Sequence, residues 1–289
     1  MGNNISTYQP PVNRLLTLGR VDNHPHGYYL KFGFTSEHIP ELVRMMMDPV
    51  LLSDETDDPE AMAVIHAWRV LGDLRAEAAI EPLMGLLAKA AQDPSAALSE
   101  WLFDDFADVF IQIGPSAVPS LRAFFSGSIQ HAWANIAAAD ALAGIGKLNP
   151  EYRDLAVQTL AHELEHSAGK FGEDAEDYNA FIIGGLMRLG AVEVAPVIKA
   201  AFYADRVDPS IYGDWYSVKE ELGLAEVDVP GPEPKREDPQ SSIENFFPAL
   251  NLNRQYSPPQ ARSFGPPKRK AQNKRKQEKK SRKQNRKRK

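Results

Sequence analysis

Apolar residues recur along this chain at helical spacing, and glycines interrupt them at intervals. In the stretch 66–87, an apolar helix ends near Gly72 and a second helix follows with one apolar stripe of i, i+3, i+4, i+7 spacing. The members of this stripe are Ile80, Leu83, Met84 and Leu87. The pattern predicts a pair of helices separated by a glycine stop.

The first helix of this pair recurs at three further glycines, so the register points are Gly72, Gly114, Gly146 and Gly190. The residues four positions and one position before each glycine are apolar: Trp68 and Leu71, Phe110 and Ile113, Leu142 and Ile145, Leu186 and Leu189. Because both offsets fall on one side of a helix, we expect these residues to be buried. We expect each glycine to end its helix in the left-handed conformation.

A second apolar stripe follows each of the three later glycines. The stripes are Val118, Leu121, Phe125; Val157, Leu160, Ala161, Leu164; and Val194, Val197, Ile198, Ala201. From residue 72 to 114, 114 to 146 and 146 to 190 the steps are 42, 32 and 44 residues, which is the range of two-helix HEAT and armadillo units. Because one helix pair cannot bury its own apolar face, such pairs stack. The sequence predicts an all-α fold, a right-handed α-solenoid of HEAT-like helical hairpins with a disordered basic C-terminal tail.

Several polar residues precede apolar helical stretches and are predicted N-caps. After a short helix at 10–18, Ser36 is expected to cap a helix through Met47, Asp58 the helix 59–71, and Ser128 a helix that runs to Ile145. Asn149 is expected to open the next helix. Asp214 is expected to cap a closing helix that covers the end of the repeat array, because terminal repeats need a capping surface.

Three runs in the chain, HAWRVLGDLRAEAAIEPL, IGPSAVPSL and GDWYSVKEELGL, carry a family resemblance. The chain resembles bacterial HEAT-repeat proteins related to the phycobilin-lyase-type (PBS lyase) HEAT-like repeats, over residues 8–224. The resemblance implies the solenoid fold but supplies no catalytic residues. It also implies one alternative activity, that of a bilin-lyase-like enzyme acting on a small ligand. Some relatives end in a cysteine-rich zinc motif, which cannot apply here because the chain has no cysteine.

The chain divides into four predicted regions. Residues 1–58 form an N-terminal cap or degenerate repeat, and 59–224 form the HEAT-like solenoid. Residues 225–267 contain nine prolines in 43 positions and are predicted to be a disordered linker, followed by the basic tail 268–289. An apolar island in the linker is either a short docking motif or a segment that rests on the solenoid. It consists of Ile243, Phe246, Phe247, Leu250 and Leu252.

The net charge of −6 conceals a strong division along the chain. The tail 268–289 carries 14 Lys/Arg and one Glu, a net +13, which leaves 19 basic and 38 acidic residues, a net −19, for 1–267. The tail has no aromatic residue to stack on bases, so its attraction to phosphates is expected to be independent of sequence. The candidate polyanion-binding residues are Lys268, Arg269, Lys270, Lys274, Arg275, Lys276, Lys279, Lys280, Arg282, Lys283, Arg286, Lys287, Arg288 and Lys289.

The sequence His162-Glu163-Leu164-Glu165-His166 formally matches the HExxH motif of zinc hydrolases. Histidines at i and i+4 share a helical face and can both ligate zinc, while the glutamate activates the bound water. At 100° per residue, however, the apolar stripe of this helix is centred almost opposite His162 and His166, so we expect both to face solvent. A metallohydrolase with these three residues is therefore a minor alternative, and no metal is assigned.

Polar residues on two predicted helices admit a structural and a functional interpretation. His66 and Arg69 share one side of an otherwise apolar helix, where they either line a groove or are buried, with His66 bonded to backbone and Arg69 paired to an acid. The structural interpretation is favoured. Asp104, Asp105 and Asp108 could hold a cation or act as an acid/base pair, but a solvated charged face is the commoner meaning.

The leading functional hypothesis is a non-catalytic scaffold. The solenoid groove would bind a protein or peptide, and the polybasic tail would contact RNA, the ribosome or another polyanion. No phosphate-binding loop, dinucleotide fingerprint or nucleophile constellation is found in the sequence, so no cofactor is expected. The lack of cysteine, of an apolar run of about 20 residues and of a secretory signal favours a cytoplasmic protein with no membrane span.

Overall fold

The chain is all-helical over the residues that the structure describes. A computed structural model describes residues 8–21, 25–53, 60–94, 98–127 and 131–234, and within these ranges there are eleven α-helices and no strand. The helices are α1 (Ile39–Met46), α2 (Met62–Asp73), α3 (Ile80–Gln92), α4 (Ser99–Ile113), α5 (Val118–Phe125), α6 (Ala132–Leu148), α7 (Pro150–His166), α8 (Ala175–Arg188), α9 (Ala195–Tyr203), α10 (Pro209–Tyr212) and α11 (Trp215–Glu221). The all-α prediction is confirmed for this part of the chain.

Short 3-10 turns lie before α1 and between paired helices. Val12–Thr17 and Tyr28–Phe32 belong to the N-terminal segment, and Glu77–Ala79, Pro115–Ala117 and Val192–Val194 lead directly into α3, α5 and α9. Helices α5, α7 and α9 each carry a proline in the first two positions. Proline is tolerated there because the first N–H groups of a helix have no intrahelical acceptor.

The first helices of successive pairs contact each other in chain order, from α2 to α4, from α4 to α6 and from α6 to α8. Among the second helices, α3 contacts α5, α7 contacts α9, and α9 contacts α11. Helix α6 lies among five others, α3, α4, α5, α7 and α8. Its sequence AWANIAAADALAGIGKL is rich in alanine and glycine and is buried over most of its length. Small side chains allow that many neighbours to approach one helix.

The apolar register residues are buried as predicted. Trp68 is 1% exposed, and Phe110, Leu142 and Leu186 are fully buried. The residues just before the register glycines are buried as well. The stripes of α3, α5 and α7 face the core, whereas in α9 only Ile198 and Ala201 of the predicted four are buried.

The role predicted for the register glycines is correct at two positions and wrong at two. Gly114 and Gly190 follow α4 and α8 and have positive φ angles of 94° and 59°. Gly72 and Gly146 instead lie inside α2 and α6. A Cβ atom at Gly146 would be 2.9 Å from the Ala156 Cβ of α7. Glycine is needed at position 146 because α6 and α7 approach each other closely there, and not because the helix ends.

The predicted N-caps are also partly corrected. Thr35, not Ser36, holds the cap position of the first turn, and its backbone N–H donates to Nδ1 of His38 at 3.0 Å. Helix α6 begins after His131, whose Nδ1 accepts from the Ala134 N–H, rather than at Ser128, which lies outside the described residues, as does Asp58. At the start of α6, an imidazole nitrogen therefore accepts the hydrogen bond that the Ser128 hydroxyl was predicted to accept.

Two predicted helix starts, those of α7 and α11, are confirmed. Asn149 precedes α7, and the Asp214 carboxylate accepts from the Ser217 N–H at 3.0 Å at the start of α11. The apolar residues of this closing helix, Trp215 and Val218, are buried. Helix α10 was not predicted.

The chain packs on the helices beyond residue 224, where the linker was predicted to begin. Residues 225–234 are described, and Val229 is only 5% exposed. We call this segment, 225–234, the C-terminal strap. The linker prediction does not hold for this segment, because Val229 and Pro234 are buried and Lys199 of α9 donates to the Val229 carbonyl. The remaining predicted linker, with the apolar island, and the whole basic tail lie outside the described residues.

Candidate functional site

His66, in the middle of α2, is fully buried and hydrogen-bonded on both ring nitrogens. Nε2 lies 2.8 Å from the Gly19 carbonyl oxygen, which can only accept, so this nitrogen carries the proton. Nδ1 then accepts from the Tyr29 hydroxyl at 2.8 Å. Burial raises the pKa of Tyr29 well above its usual value, so the hydroxyl remains a donor at neutral pH. His66 therefore joins α2 to two parts of the N-terminal segment.

Arg69, one turn further along α2, pairs with Asp105 of α4. Its Nε and Nη2 donate to the two carboxylate oxygens at 2.6 and 3.1 Å, and Nη1 donates to the Val21 carbonyl at 3.0 Å. The indole Nε1 of Trp68 donates to the same carboxylate at 2.8 Å. The structural interpretation of His66 and Arg69 is thus confirmed: both are bound inside the protein and neither lines an open groove.

Helix α4 divides its carboxylates between the interior and solvent. Asp105 faces α2, while Glu100, Asp104 and Asp108 form an exposed stripe at spacing i, i+4, i+8. Partial desolvation and the carboxylates of Asp105 and Glu100 raise the pKa of Asp104 to about 6. The solvated charged face that the sequence favoured for all three aspartates is found for Asp104 and Asp108. It is wrong for Asp105, which packs against α2 because it pairs with the buried Arg69.

The HExxH residues lie at the C-terminal end of α7 with their side chains on different sides. The His162 side chain is 66% exposed, His166 is exposed, and their rings stack with centroids 4.1 Å apart. Glu163 is only 5% exposed and accepts from the Lys170 ammonium and the Tyr178 hydroxyl, both at 3.3 Å. The histidines face solvent as predicted. The glutamate is directed inward, where it cannot activate a water held between the two rings.

A shallow open groove separates α3 from α5. It has a volume of about 470 Å³, and Met84, Pro119, Ala123 and Phe124 form most of its apolar lining. Its polar part contains Glu81, which accepts from the Ser120 hydroxyl at 2.6 Å. The groove is apolar at its base and negatively charged at one side.

Lys199 of α9 is a buried charged residue that the sequence pattern did not single out. It is 2% exposed, and its Nζ donates to the Val229 carbonyl at 2.8 Å and to the Glu233 carboxylate of the C-terminal strap. The bond to Lys199 lowers the pKa of Glu233. A lysine inside the apolar run APVIKAAFY was the available signal. The lysine directly follows Ile198 in the sequence, and both side chains are buried.

Two structural features are absent from the residues that the structure describes. No group of three or more His, Asp or Glu side chains in these ranges is arranged to hold a metal ion. No helix in the same part of the chain is both long and apolar enough to cross a bilayer. The fourteen basic tail residues predicted to bind a polyanion lie outside this part, so their prediction stands on sequence alone.

Comparison with known proteins adds no relative: no protein-family model matches the chain, and neither the curated proteins nor the solved structures contain a significant match.

Proposed function

We propose that this protein is a non-catalytic adaptor, a right-handed HEAT-like α-solenoid that binds a partner peptide between its second helices and a polyanion such as RNA through its basic tail. A cytoplasmic location belongs to the same proposal. The observation that carries it is the division of charge, +13 in residues 268–289 and −19 in 1–267. Such a division suits a protein that binds one partner on its folded part and another on its terminus.

The solenoid part of the proposal is supported by contacts that recur at similar separations. The Ser116 and Ser120 hydroxyls donate to Glu77 and Glu81, each 39 residues earlier, both at 2.6 Å. Arg153 at the start of α7 donates to Glu193, 40 residues later, at 2.8 Å. The successive contacts of α2, α4, α6 and α8 are those expected of stacked hairpins.

The groove between α3 and α5 is the best candidate for peptide binding. Its base contains Met84, a flexible side chain that adapts to different apolar partners. The Glu81 carboxylate at its side favours a peptide that combines an apolar anchor with a basic residue. An extended surface of second helices suits a long partner.

The tail is tested by measuring the affinity of the full chain for a labelled single-stranded RNA at several salt concentrations. We expect the logarithm of the association constant to fall linearly with the logarithm of salt concentration, with a slope of about −0.7 per phosphate neutralised. Replacing the fourteen tail Lys/Arg residues by Gln should abolish both the affinity and the slope. If this variant binds like the parent, the tail is not the polyanion site.

The groove is tested by capturing partners from lysate treated with RNase. Ala123→Trp fills the groove from an exposed position, whereas Arg122→Trp adds the same ring at a neighbouring exposed position that does not line it. We expect partner proteins to be retained by the parent and by Arg122→Trp but lost with Ala123→Trp. Equal capture by all three chains would exclude this groove.

A further inference from the structure

The exposed pair His162 and His166 on α7 is not used by the proposed adaptor function, and its geometry can be interpreted independently of it. The two rings stack with an interplanar angle of 21°. Imidazoles at i and i+4 of a helix can both ligate one metal ion because they occupy the same face. The motif therefore supplies two adjacent nitrogen ligands at the surface, whatever the role of its glutamate.

The Nδ1 atom of His166 has a hydrogen-bond acceptor on α7. The Nδ1 of His166 lies 2.8 Å from the His162 carbonyl oxygen, which accepts, so Nδ1 carries the proton and Nε2 holds the lone pair. The Nδ1 of His162 lies 3.9 Å from the Glu163 carboxylate. Metal-binding histidines usually direct one ring nitrogen to a carbonyl or carboxylate, which orients the ring and makes the other nitrogen a better ligand.

Glu163 is not a metal ligand. Its carboxylate is buried and bonded to Lys170 and Tyr178, so it is held inside the protein. In the zinc hydrolases that share the motif, the glutamate faces the metal-bound water instead. The arrangement here lacks that base and a third protein ligand among the described residues.

We propose that the Nε2 atoms of His162 and His166 form a two-ligand surface site for a divalent late transition-metal ion, with the remaining positions open to water or to an external ligand. In a zinc or copper chelate, metal–nitrogen bonds of about 2.0–2.1 Å require the two nitrogens to lie roughly 3 Å apart. The ring centroids lie 4.1 Å apart, and binding requires rotations of the two side chains that bring both Nε2 atoms to this separation. Two imidazoles bind Cu²⁺ more tightly than Zn²⁺.

The test is titration of the full chain with Cu²⁺ and, separately, with Zn²⁺, followed by calorimetry and, for copper, by electron paramagnetic resonance. We expect one ion per chain, Cu²⁺ bound more tightly than Zn²⁺, and a copper spectrum with two nitrogen ligands. His162→Gln and His166→Gln should each weaken binding about tenfold or more. Binding should also weaken in acid, since protons compete for the same nitrogens.

Two matched variants show whether binding depends on the α7 histidines in particular. His26→Gln removes a histidine from an N-terminal loop, and Glu165→Gln removes a neighbouring exposed charge without removing a ligand. Both should retain the parent affinity within about threefold. The proposal is overturned if binding does not saturate at one ion per chain, if His26→Gln abolishes it, or if the α7 histidine variants bind as the parent does. Because His162, Glu165 and His166 are exposed, the unfolding curves of their variants should coincide with that of the parent, which separates loss of binding from loss of fold.

Discussion

At the scale of single residues, the polar groups inside the helices serve to join elements. His66 connects α2 to Gly19 and Tyr29, and Arg69 connects the same helix to Asp105 and Val21. Burying such groups without partners costs several kcal/mol for a charge and about 1–3 kcal/mol for a neutral group. Their complete pairing explains how α2 holds a histidine and an arginine in an otherwise apolar core.

Asp104 gives the protein a predictable dependence on pH. Because its pKa of about 6 in the folded state exceeds the ordinary value of 3.8, the folded chain binds more protons, and the free energy of unfolding falls as pH rises through this window. Asp104→Asn removes this penalty. We expect this variant to be about 1 kcal/mol more stable than the parent near pH 7.5 and equally stable near pH 4. The difference is small because solvent screens the interactions of Asp104. Urea unfolding at a series of pH values measures this difference.

The neighbouring substitution Asp105→Asn is the control for Asp104→Asn, and its effect has the opposite sign. It leaves the buried guanidinium of Arg69 without its counter-charge, which costs about 3 kcal/mol. We therefore expect it to unfold at lower urea than the parent at neutral pH. A stability of Asp104→Asn that follows the parent throughout this pH range would show that Asp104 has an ordinary pKa.

The partners of the buried polar residues could be predicted from the sequence only as a type of residue and not by position. An acidic partner for Arg69 could be expected in any acidic chain, but its identity as Asp105, 36 residues away, depends on how α4 packs on α2. Lys199 was missed because its acceptors come from the C-terminal strap, whose composition predicts no structure. Long-range pairing is set by packing and leaves no local pattern.

At the scale of elements, glycines have two different functions that look alike in sequence. Gly114 and Gly190 end helices, but Gly146 lies where α6 and α7 approach so closely that a Cβ would be 2.9 Å from Ala156 and 3.4 Å from the Arg153 Cα. Helical period alone predicted the helices and their buried faces. It could not distinguish a glycine that ends a helix from a glycine at a close helix–helix contact, because the second depends on the position of a neighbouring helix.

Substitutions of two helical glycines separate these effects. Gly146→Ala is expected to cost about 1–3 kcal/mol because α6 and α7 must move apart, despite the better helix propensity of alanine. Gly85→Ala in α3, where no atom lies within 4 Å, should instead gain up to about 1 kcal/mol. Urea unfolding of the two variants tests the pair. Equal gains would mean that α6 and α7 are not in close contact.

At the scale of the whole molecule, segments outside the paired helices cover both ends. The N-terminal segment packs on α2 through residues such as Tyr29, which is fully buried. The C-terminal strap covers α9, and the Tyr216 hydroxyl of α11 donates to its Glu233. Because these segments bury apolar side chains of the outer helices, they are expected to add stability.

The strap makes the position of a truncation important. A chain that ends at Leu224 loses the acceptors of the buried Lys199 and exposes the site of Val229, whereas one that ends at Pro234 keeps both. We expect the shorter chain to be about 2–3 kcal/mol less stable in urea unfolding, since a hydrogen bond to a buried charge is lost. Coincident unfolding curves would show that the strap adds nothing to the stability of the helices.

Because Lys199 binds the C-terminal strap to α9, the residues after 234 begin next to this helix. The last described residue is Pro234 and the first tail cation is Lys268, so 33 residues intervene, with a fully extended length of about 110 Å. If the proposed adaptor function holds, a polyanion bound by the tail would remain within this distance of α9. The effective concentration of that polyanion near a partner bound to the helices would then depend on the length of the intervening chain rather than on the surrounding solution.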